Sequence, residues 1–163
     1  MNPDTLFTGV RLLGGGVDVR GDLLMRDGLI ADFGPSLGRP DGATVIEAEG
    51  TILCPGLVDI RAALGEPGFE YRETIASAAV AAAAGGITTL AALPDTQPAI
   101  DDPALVQLLR TKGDATGSLT ILPYGAVTRG CRGEELAEIG LLREAGAVAF
   151  TDGSRTIGPA RLM

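Results

Sequence analysis

Few residues in this chain are suited to chemistry, and the clearest group follows a short apolar run that ends at Asp59. The stretch Leu53–Gly68 begins with that run, turns at Pro55-Gly56 and then reaches Asp59. If the run is a β-strand, Asp59 lies near its carboxyl end, where α/β enzymes place their catalytic groups. A carboxylate at such a position is a candidate metal ligand, although the more common role is bonding to nearby backbone.

The residues that follow Asp59 do not complete a familiar centre. Arg61, Ala63 and Gly65 occupy alternate positions after it, and the whole chain contains no histidine. Arg61 is expected to form a salt bridge within the pocket. The partners weighed for it are Glu66, Asp95 and Asp152, and the alternative is a carboxylate of another molecule.

The remaining candidates are better explained by structure than by catalysis. Without an imidazole to activate a hydroxyl, a serine–histidine nucleophile is excluded for the chain's serines, among them Ser77, Ser118 and Ser154. The adjacent pairs Asp101-Asp102 and Glu134-Glu135 are expected at helix starts, where a negative charge stabilises the first turn. Asp152 alone cannot hold zinc, because at least three protein ligands are needed.

Two regions with different patterns must position these residues. Residues 1–52 are rich in β-formers and turn signals, and they predict a small antiparallel sheet or half-sandwich of about five strands, with a type I′ turn at Asp27-Gly28. Residues 53–163 alternate apolar runs with helical stretches, which predicts parallel strands joined by right-handed crossovers. About four strands and three helices are expected there, the first half of a TIM-like (β/α)8 barrel.

The predicted elements of the second region have definite bounds. One strand is expected from Thr51 to Asp59, and the last helix is expected from Gly133 to Ala145. The strands and helices between these two are expected at Glu73–Ala84, Ile87–Leu93, Asp101–Lys112 and Leu119–Ala126, with a final strand at Ala147–Phe150. Four parallel strands leave two open edges, which predicts an oligomer or a partner that covers them.

Composition and charge narrow the range of partners. The chain has 163 residues, a net charge of −8 and a single lysine, so it lacks the clustered cations of a nucleic-acid or anionic-membrane surface. Its longest apolar run, Ala78–Ala84, is too short to span a bilayer, and no signal-peptide pattern is visible. Cys54 and Cys131 are far apart and are expected as thiols in a reducing cytosol, so a cytoplasmic protein is expected.

Several segments in this order and spacing resemble the N-terminal half of a dihydroorotase, a cyclic amidohydrolase of the amidohydrolase superfamily. The matching segments are Pro55–Asp59, Glu66–Gly68 with Glu73–Ile75, Ala82–Thr89, Leu93–Pro98, Leu122–Thr128, Gly133–Ala137 and Glu144–Phe150. The resemblance implies a partial amidohydrolase barrel preceded by a small N-terminal β-sandwich segment. Hydantoinase or allantoinase ancestry is the alternative, and Glu66–Gly68 and Leu122–Thr128 favour dihydroorotase.

The resemblance also shows what this chain lacks. The family pattern after the first barrel strand is Asp-x-His-x-His-x-Arg-Glu-Pro-Gly, in which both histidines bind zinc and the arginine holds the substrate carboxylate. Here the histidine positions are Arg61 and Ala63, and the arginine position is Gly65. A permanently charged guanidinium would repel a metal dication.

Two further positions depart from the family pattern. The substrate-contacting asparagine of the family is Asp95 here, and its charge would oppose the carboxylate of the usual substrate. The family segment Phe-Ser/Thr-Asp-Asp-Gly reads Phe150-Thr-Asp-Gly153, so one aspartate of the pair is missing. Asp152 is the aspartate that stays, and the resemblance marks it as a vestigial metal ligand.

These departures favour a non-catalytic, dihydroorotase-like subunit that holds no cofactor of its own, whereas the family uses zinc. The resemblance implies aspartate carbamoyltransferase, the preceding enzyme of pyrimidine synthesis, as the partner of such a subunit. One alternative is a fragment of an active zinc cyclic amidohydrolase whose other half supplies ligands. Another is a truncated product that folds poorly and has no function.

Overall fold

The computed structural model describes residues 3–162, and the chain divides into two compact units. The first unit extends to Pro55 and the second begins at Gly56. Each unit has its own hydrophobic core and its own sheet.

The first unit is built on one five-stranded sheet. Its strands are β1 (Thr5–Gly14), β2 (Val17–Arg26), β3 (Leu29–Gly34), β4 (Thr44–Glu47) and β5 (Ile52–Leu53). The order is β3-β2-β1-β4, and β5 also pairs with β1. The β1–β2 and β2–β3 pairs are antiparallel, but β4 and β5 run parallel to β1. About five strands were predicted and five are present, but the prediction of antiparallel pairing is wrong for β4 and β5. The connection after β3 brings β4 alongside β1 in the same direction, and β5 continues along β1 beyond β4.

The hairpin between β2 and β3 forms where its turn residues predict it. Asp27 and Gly28 both adopt positive φ, 50° and 77°, as a type I′ turn requires. One face of the sheet buries Val10, Leu12 and Leu23. Alternation of side chains along the strands brings these residues to one face, and their burial stabilises the sheet.

The junction between the units contradicts one prediction. The single strand expected from Thr51 to Asp59 is two strands, because β5 ends at Leu53 and β6 spans Leu57–Ala62. Proline at position 55 cannot donate a backbone hydrogen bond, and the chain leaves the first sheet at this point. Gly56 lies so close to Thr88 that a Cβ atom there would come within 2.2 Å of the threonine hydroxyl.

The second unit is a partial barrel of four parallel strands in the order β6-β7-β8-β9. After β6 come β7 (Ile87–Ala92), β8 (Thr120–Gly125) and β9 (Ala149–Phe150), separated by α1 (Ile75–Ala84), α2 (Pro103–Ala115) and α3 (Ile139–Ala145). The helices bury one face of the sheet, where Leu90 and Ile121 lie opposite each other in register and pack with Leu109 and Leu142. Among residues 3–162, no helix is long and apolar enough to cross a membrane.

The first two helices begin at capping residues. Thr74 and Ser77 form a reciprocal capping box at the start of α1. Asp102 caps α2 by accepting a hydrogen bond from the Ala104 amide at 2.8 Å, with Pro103 in the first turn. This confirms the expected capping role for Asp102. Asp101 does not cap the helix, because its carboxylate accepts a hydrogen bond from the Gly130 amide at 2.7 Å.

The third helix is shorter than expected, and the predicted helix start at Gly133 is wrong. Gly133 has a positive φ of 73°, and residues 135–137 bond to the segment after β8 instead of forming a helical turn. Glu135 lies 3.5 Å from Arg129 in an exposed ion pair, so the capping role predicted for Glu134-Glu135 is also wrong. Backbone hydrogen bonds between residues 127–129 and residues 135–137 replace the first helical turn, so the helix begins only at Ile139.

Candidate functional site

The carboxyl ends of the four parallel strands meet at one edge of the second sheet, and the residues singled out from the sequence lie there. The segment 61–66 includes the end of β6 and continues beyond it, Asp95 follows β7, Thr128 follows β8 and Asp152 follows β9. The topology therefore brings to one edge residues that are far apart in sequence. This edge is the candidate site.

Asp59 lies within β6 and not at its end, but it has the structural role that was favoured for it. Its carboxylate accepts a hydrogen bond from the Arg61 backbone amide at 2.9 Å. The Arg61 side chain is exposed, and it forms no ion pair within residues 3–162. The salt bridge predicted for Arg61 inside the pocket is therefore wrong. Its weighed partners Glu66 and Asp152 are engaged elsewhere, with Lys112 and Thr128.

The backbone is closed around Gly65, the position at which the sequence resemblance places an arginine. A Cβ atom there would lie 2.5 Å from the Glu73 carbonyl oxygen, 2.7 Å from the Phe69 carbonyl oxygen and 2.9 Å from the Glu73 amide nitrogen. All three contacts are with backbone atoms, which cannot move aside as a flexible side chain would. The loop itself therefore excludes a larger side chain at position 65. Ala63, two residues earlier, is exposed and offers no polar atom.

Glu66 is buried and anchors this loop to both α1 and α2. Its Oε2 accepts a hydrogen bond from the Ile75 amide at 2.9 Å, at the N-terminus of α1, and its Oε1 pairs with the Lys112 ammonium. Burial raises the pKa of Glu66, but the Ile75 amide and Lys112 together outweigh burial, so the pKa of this carboxyl is lowered overall. The only lysine in the chain thus has a structural partner 46 residues away in sequence, a pairing that the sequence pattern did not reveal.

Glu66 should make the second unit sensitive to acid. Because its folded-state pKa lies below the ordinary value of 4.5, the ionised form stabilises the fold above that pH, and this stability is lost as the pH falls through the folded-state pKa. In Glu66→Gln, the fall in unfolding free energy below about pH 4.5 should be shallower, by up to about 1.4 kcal/mol per pH unit. Urea titrations followed by tyrosine fluorescence measure the unfolding free energy at each pH, with Glu134→Gln, a substitution at an exposed residue, as the control. Parallel pH profiles for the wild type and Glu66→Gln would show that ionised Glu66 does not stabilise the fold.

Asp152 is buried at 3% exposure and holds the segment after β8 in place. Its Oδ1 accepts hydrogen bonds from the Val127 and Thr128 amides, both at 2.9 Å, and its Oδ2 accepts one from the Thr128 hydroxyl at 2.5 Å. The Thr128 hydroxyl oxygen in turn accepts from the Gly133 amide at 2.8 Å. Both carboxylate oxygens of Asp152 are therefore engaged with protein groups. Thr128 is fully buried at the centre of this network, and sequence reasoning did not single it out.

A second group of acidic residues surrounds Cys131. Burial raises the pKa of the Cys131 thiol to about 11, and the nearby carboxylates of Asp152, Asp95 and Asp101 add to the effect.

Gly153 lies against Asp95, since a Cβ at position 153 would come 3.0 Å from its carboxylate oxygen. An aspartate at 153, where φ is +68°, would meet both steric strain and like charge.

Tyr124 is a further residue that sequence reasoning missed. Its hydroxyl donates a hydrogen bond to the Ile60 carbonyl oxygen at 2.7 Å, so a side chain on β8 reaches across β7 to β6. The one sequence signal for this contact is a tyrosine within a strand whose neighbouring residues Ile121, Leu122 and Pro123 are apolar. The bond fixes the position of β6 at the candidate site.

Zinc is the metal that the resemblance implies, and the described side chains at this edge do not fit it. Zinc prefers three or more imidazole, thiolate or carboxylate ligands. Within residues 3–162, no three His, Cys, Asp or Glu side chains are grouped so that they could hold a metal ion. Arg61 presents a cation and Ala63 presents no donor at the positions concerned. The vestigial metal role of Asp152 stays a prediction, and its hydrogen bonds account for its position without one.

Comparisons with known proteins connect this geometry to a family. A family model described as Dihydro-orotase-like matches residues 50–163. A dihydroorotase from Pelobacter propionicus is 43% identical over 148 residues, covering 91% of this chain and 35% of the relative, and one from Ruminiclostridium cellulolyticum is also 43% identical, with 34% of the relative covered. The chain spans about a third of the length of these relatives.

Solved structures agree on the fold. The L-hydantoinase from Arthrobacter aurescens superposes with a TM-score of 0.74 at 23% identity, over 91% of this chain and 32% of that one. A dihydroorotase structure gives a TM-score of 0.61 at 18% identity, over 99% of this chain and 47% of that one. The prediction of an N-terminal amidohydrolase half-barrel, preceded by a sheet domain, is confirmed. The chain belongs to the dihydroorotase-like family.

Proposed function

We propose that this chain is a non-catalytic, dihydroorotase-like subunit that retains the framework of the family and has lost its chemistry. The observation that carries the proposal is the closed backbone at Gly65, where a Cβ atom would lie 2.5 Å from a carbonyl oxygen. Simple loss of a side chain would leave space for the missing arginine, but this loop leaves none. Arg61 and Ala63, at the positions of the two family histidines, provide no metal ligand.

The charges at the site support the same conclusion. Dihydroorotases act on a substrate that carries a carboxylate, and the family holds it with an arginine and an asparagine. Here the corresponding residues are Gly65 and Asp95, so the guanidinium is missing and an anion replaces the neutral amide. Like charges disfavour such a substrate. Arg61 is exposed at the same edge, but it stands at a histidine position of the family pattern and not at the position of the substrate-binding arginine.

A subunit of this kind is proposed to act through assembly, with aspartate carbamoyltransferase as partner. The support is the family relationship. Co-expression of the two proteins followed by purification on a tag on either one tests this partnership. We expect both proteins to elute together in a fixed ratio, whereas separate elution would remove aspartate carbamoyltransferase as the partner.

Loss of catalysis is tested by activity and metal content. The purified chain, with zinc added, should show no interconversion of carbamoyl aspartate and dihydroorotate above a protein-free control, and it should retain no zinc after desalting. A dihydroorotase from one of the relatives, assayed in parallel, is the positive control. Turnover that a chelator abolishes and that zinc restores would overturn the proposal.

The length of the relatives favours a second candidate. The chain covers 35% of the Pelobacter propionicus dihydroorotase, so most of that relative has no counterpart here. If further barrel strands supply a complete ligand set, the chain is the first part of an active zinc cyclic amidohydrolase. Mixing the purified chain with a separately expressed C-terminal part of that relative distinguishes the two: zinc-dependent turnover in the mixture supports the second candidate, and its absence from a stable complex supports the first.

A further inference from the structure

A small concavity in the first unit brings two arginines together. Its volume is about 140 Å³, and its lining comes from β1, from β2 and from the chain at the start of β5. The lining residues are Gly9, Arg11, Arg20, Gly50, Thr51 and Ile52. As far as the described residues define it, this lining contains two cations and no carboxylate. We refer to it as the arginine concavity.

The two arginines are cross-strand neighbours. Arg11 on β1 lies directly opposite Arg20 on β2, and on its other side it is aligned with Ile52 on β5. Residues directly opposite each other in an antiparallel pair share one face of the sheet, with their Cβ atoms about 5 Å apart. Like charges in this relation destabilise a sheet. An anion held between the two guanidinium groups would offset the repulsion, because each group then has an opposite charge beside it.

The nearby carboxylates leave donors on both arginines. Asp18 accepts hydrogen bonds from Nε and Nη2 of Arg11, both at 2.7 Å. Asp22 accepts hydrogen bonds from two backbone amides, including that of Gly9 at 3.0 Å. A guanidinium group has five N–H donors, so Asp18 takes only part of the set on Arg11. Arg20 forms no ion pair within residues 3–162. Both arginines can therefore donate to a ligand in the concavity.

The wall opposite the arginines is held in place by hydrogen bonds. The Arg11 amide donates to the Thr51 carbonyl oxygen at 2.9 Å. The Thr51 amide and hydroxyl both donate to the Ala48 carbonyl oxygen, at 3.1 and 2.7 Å. Gly50 has a positive φ of 79°, and its lack of a side chain lets a ligand approach the backbone closely. The concavity therefore needs little ordering when a ligand binds, which favours affinity.

We propose that the arginine concavity binds a phosphoryl group, either as free inorganic phosphate or at the end of a small phosphate monoester. Guanidinium groups recognise phosphate oxygens with paired N–H donors. Two arginines can share the four oxygens of one tetrahedral anion, whereas a carboxylate has only two oxygens to offer. Water occupies about 30 Å³ per molecule, so a volume of about 140 Å³ suits the five heavy atoms of phosphate. This site goes beyond the proposed function and does not depend on whether the chain is catalytic.

Titration of the 163-residue chain with inorganic phosphate, followed by heteronuclear NMR, tests the proposal. Both arginines are exposed, so the ionic strength is kept low and constant with chloride to limit and fix screening. The Nε–H signals of Arg11 and Arg20 and the Gly50 amide signal should shift and saturate together. Arg20→Gln should weaken phosphate binding at least about tenfold, because one charged donor group is lost. Asp18→Asn should strengthen binding, because it removes a negative charge beside Arg11.

A matched control separates this site from a general attraction of phosphate to arginine. Arg39 is an exposed arginine of the same unit outside the concavity, and Arg39→Gln should leave the phosphate affinity unchanged. Without phosphate, the amides of β1 and β2 should be as well protected from hydrogen exchange in Arg20→Gln as in the wild type, because the substitution removes only a repulsive pair.

Two further ligands define the chemistry. Methyl phosphate distinguishes the sources of the phosphoryl group: binding at least as tight as that of phosphate identifies a monoester, and weaker binding identifies free phosphate. Acetate should bind at least about tenfold more weakly than phosphate, because it has two oxygens for two guanidinium groups. Shifts that do not saturate, an unchanged phosphate affinity in Arg20→Gln, or acetate binding as tight as that of phosphate would overturn the proposal.

Discussion

Replacing Asp152 by alanine should lower the unfolding free energy of the second unit by roughly 3–5 kcal/mol. The carboxylate accepts three hydrogen bonds, from the Val127 amide, the Thr128 amide and the Thr128 hydroxyl. In Asp152→Ala these donors stay buried without acceptors. Each unsatisfied buried donor costs about 1–3 kcal/mol.

The unfolding of the second unit can be followed by tyrosine fluorescence, because of where the tyrosines lie. Tyr71 and Tyr124 are the only tyrosines, the chain has no tryptophan, and both tyrosines lie in the second unit. Tyrosine fluorescence during denaturant titration therefore follows that unit. Asp95→Ala removes an exposed carboxylate from the same edge and should change the unfolding free energy by less than about 0.5 kcal/mol.

An intermediate variant refines the result. Asp152→Asn keeps an amide oxygen for the two backbone donors, and its NH2 group can donate to the Thr128 hydroxyl oxygen. We expect a loss between those of the wild type and Asp152→Ala. A loss below about 1 kcal/mol in Asp152→Ala would show that the network does not hold the segment after β8, and the retention of Asp152 would then need another explanation.

Local signals were sufficient for much of the fold. Asp27-Gly28 has the backbone freedom that a type I′ turn requires, and Asp102-Pro103 combines a side-chain cap with a residue whose ring favours the first helical turn. The apolar runs at β7 and β8 predicted buried parallel strands. In each of these cases the determining interactions lie within a few residues of one another.

Predictions failed where partners distant in sequence decide the structure. Residues 135–137 appeared helical, but they bond to residues 127–129, an interaction that no local pattern encodes. The segment from Thr51 to Asp59 appeared to be one strand, although its two halves belong to different sheets. The Glu66–Lys112 pair joins residues 46 positions apart. Arg61 was expected to find a carboxylate nearby, but the weighed partners Glu66 and Asp152 bond to other residues, Lys112 and Thr128.

The candidate site shows the same division between local and distant information. Substitutions at 61, 63, 65 and 95 were visible in the sequence through comparison with the family pattern. The closure of the loop over Gly65 was not visible, because it depends on where Phe69 and Glu73 place their carbonyl oxygens. The sequence therefore indicated which groups are missing, and the structure adds that the space for one of them is missing as well.

Gly65→Ala should destabilise the second unit by about 2–3 kcal/mol, although it adds a single methyl group. That methyl would lie 2.5–2.9 Å from three backbone atoms of Phe69 and Glu73, so the loop must shift to accept it. Gly140→Ala on α3 is the matched control, because a Cβ at Gly140 meets nothing within 4 Å. In a helix this change should stabilise by about 0.5–1 kcal/mol.

The same contacts predict that reversion to the family residues will fail. Arg61→His with Ala63→His adds two imidazoles at exposed positions and should fold, whereas adding Gly65→Arg should cost at least as much stability as Gly65→Ala, because any side chain begins with the same Cβ. Denaturant titration of the double and triple variants by tyrosine fluorescence measures this difference. If the triple variant is as stable as the double one, the loop can open at little cost and the space for the arginine is still accessible. If it is less stable by the amount seen for Gly65→Ala, the loop has become incompatible with the family arginine, and restoring side chains alone does not restore the substrate site.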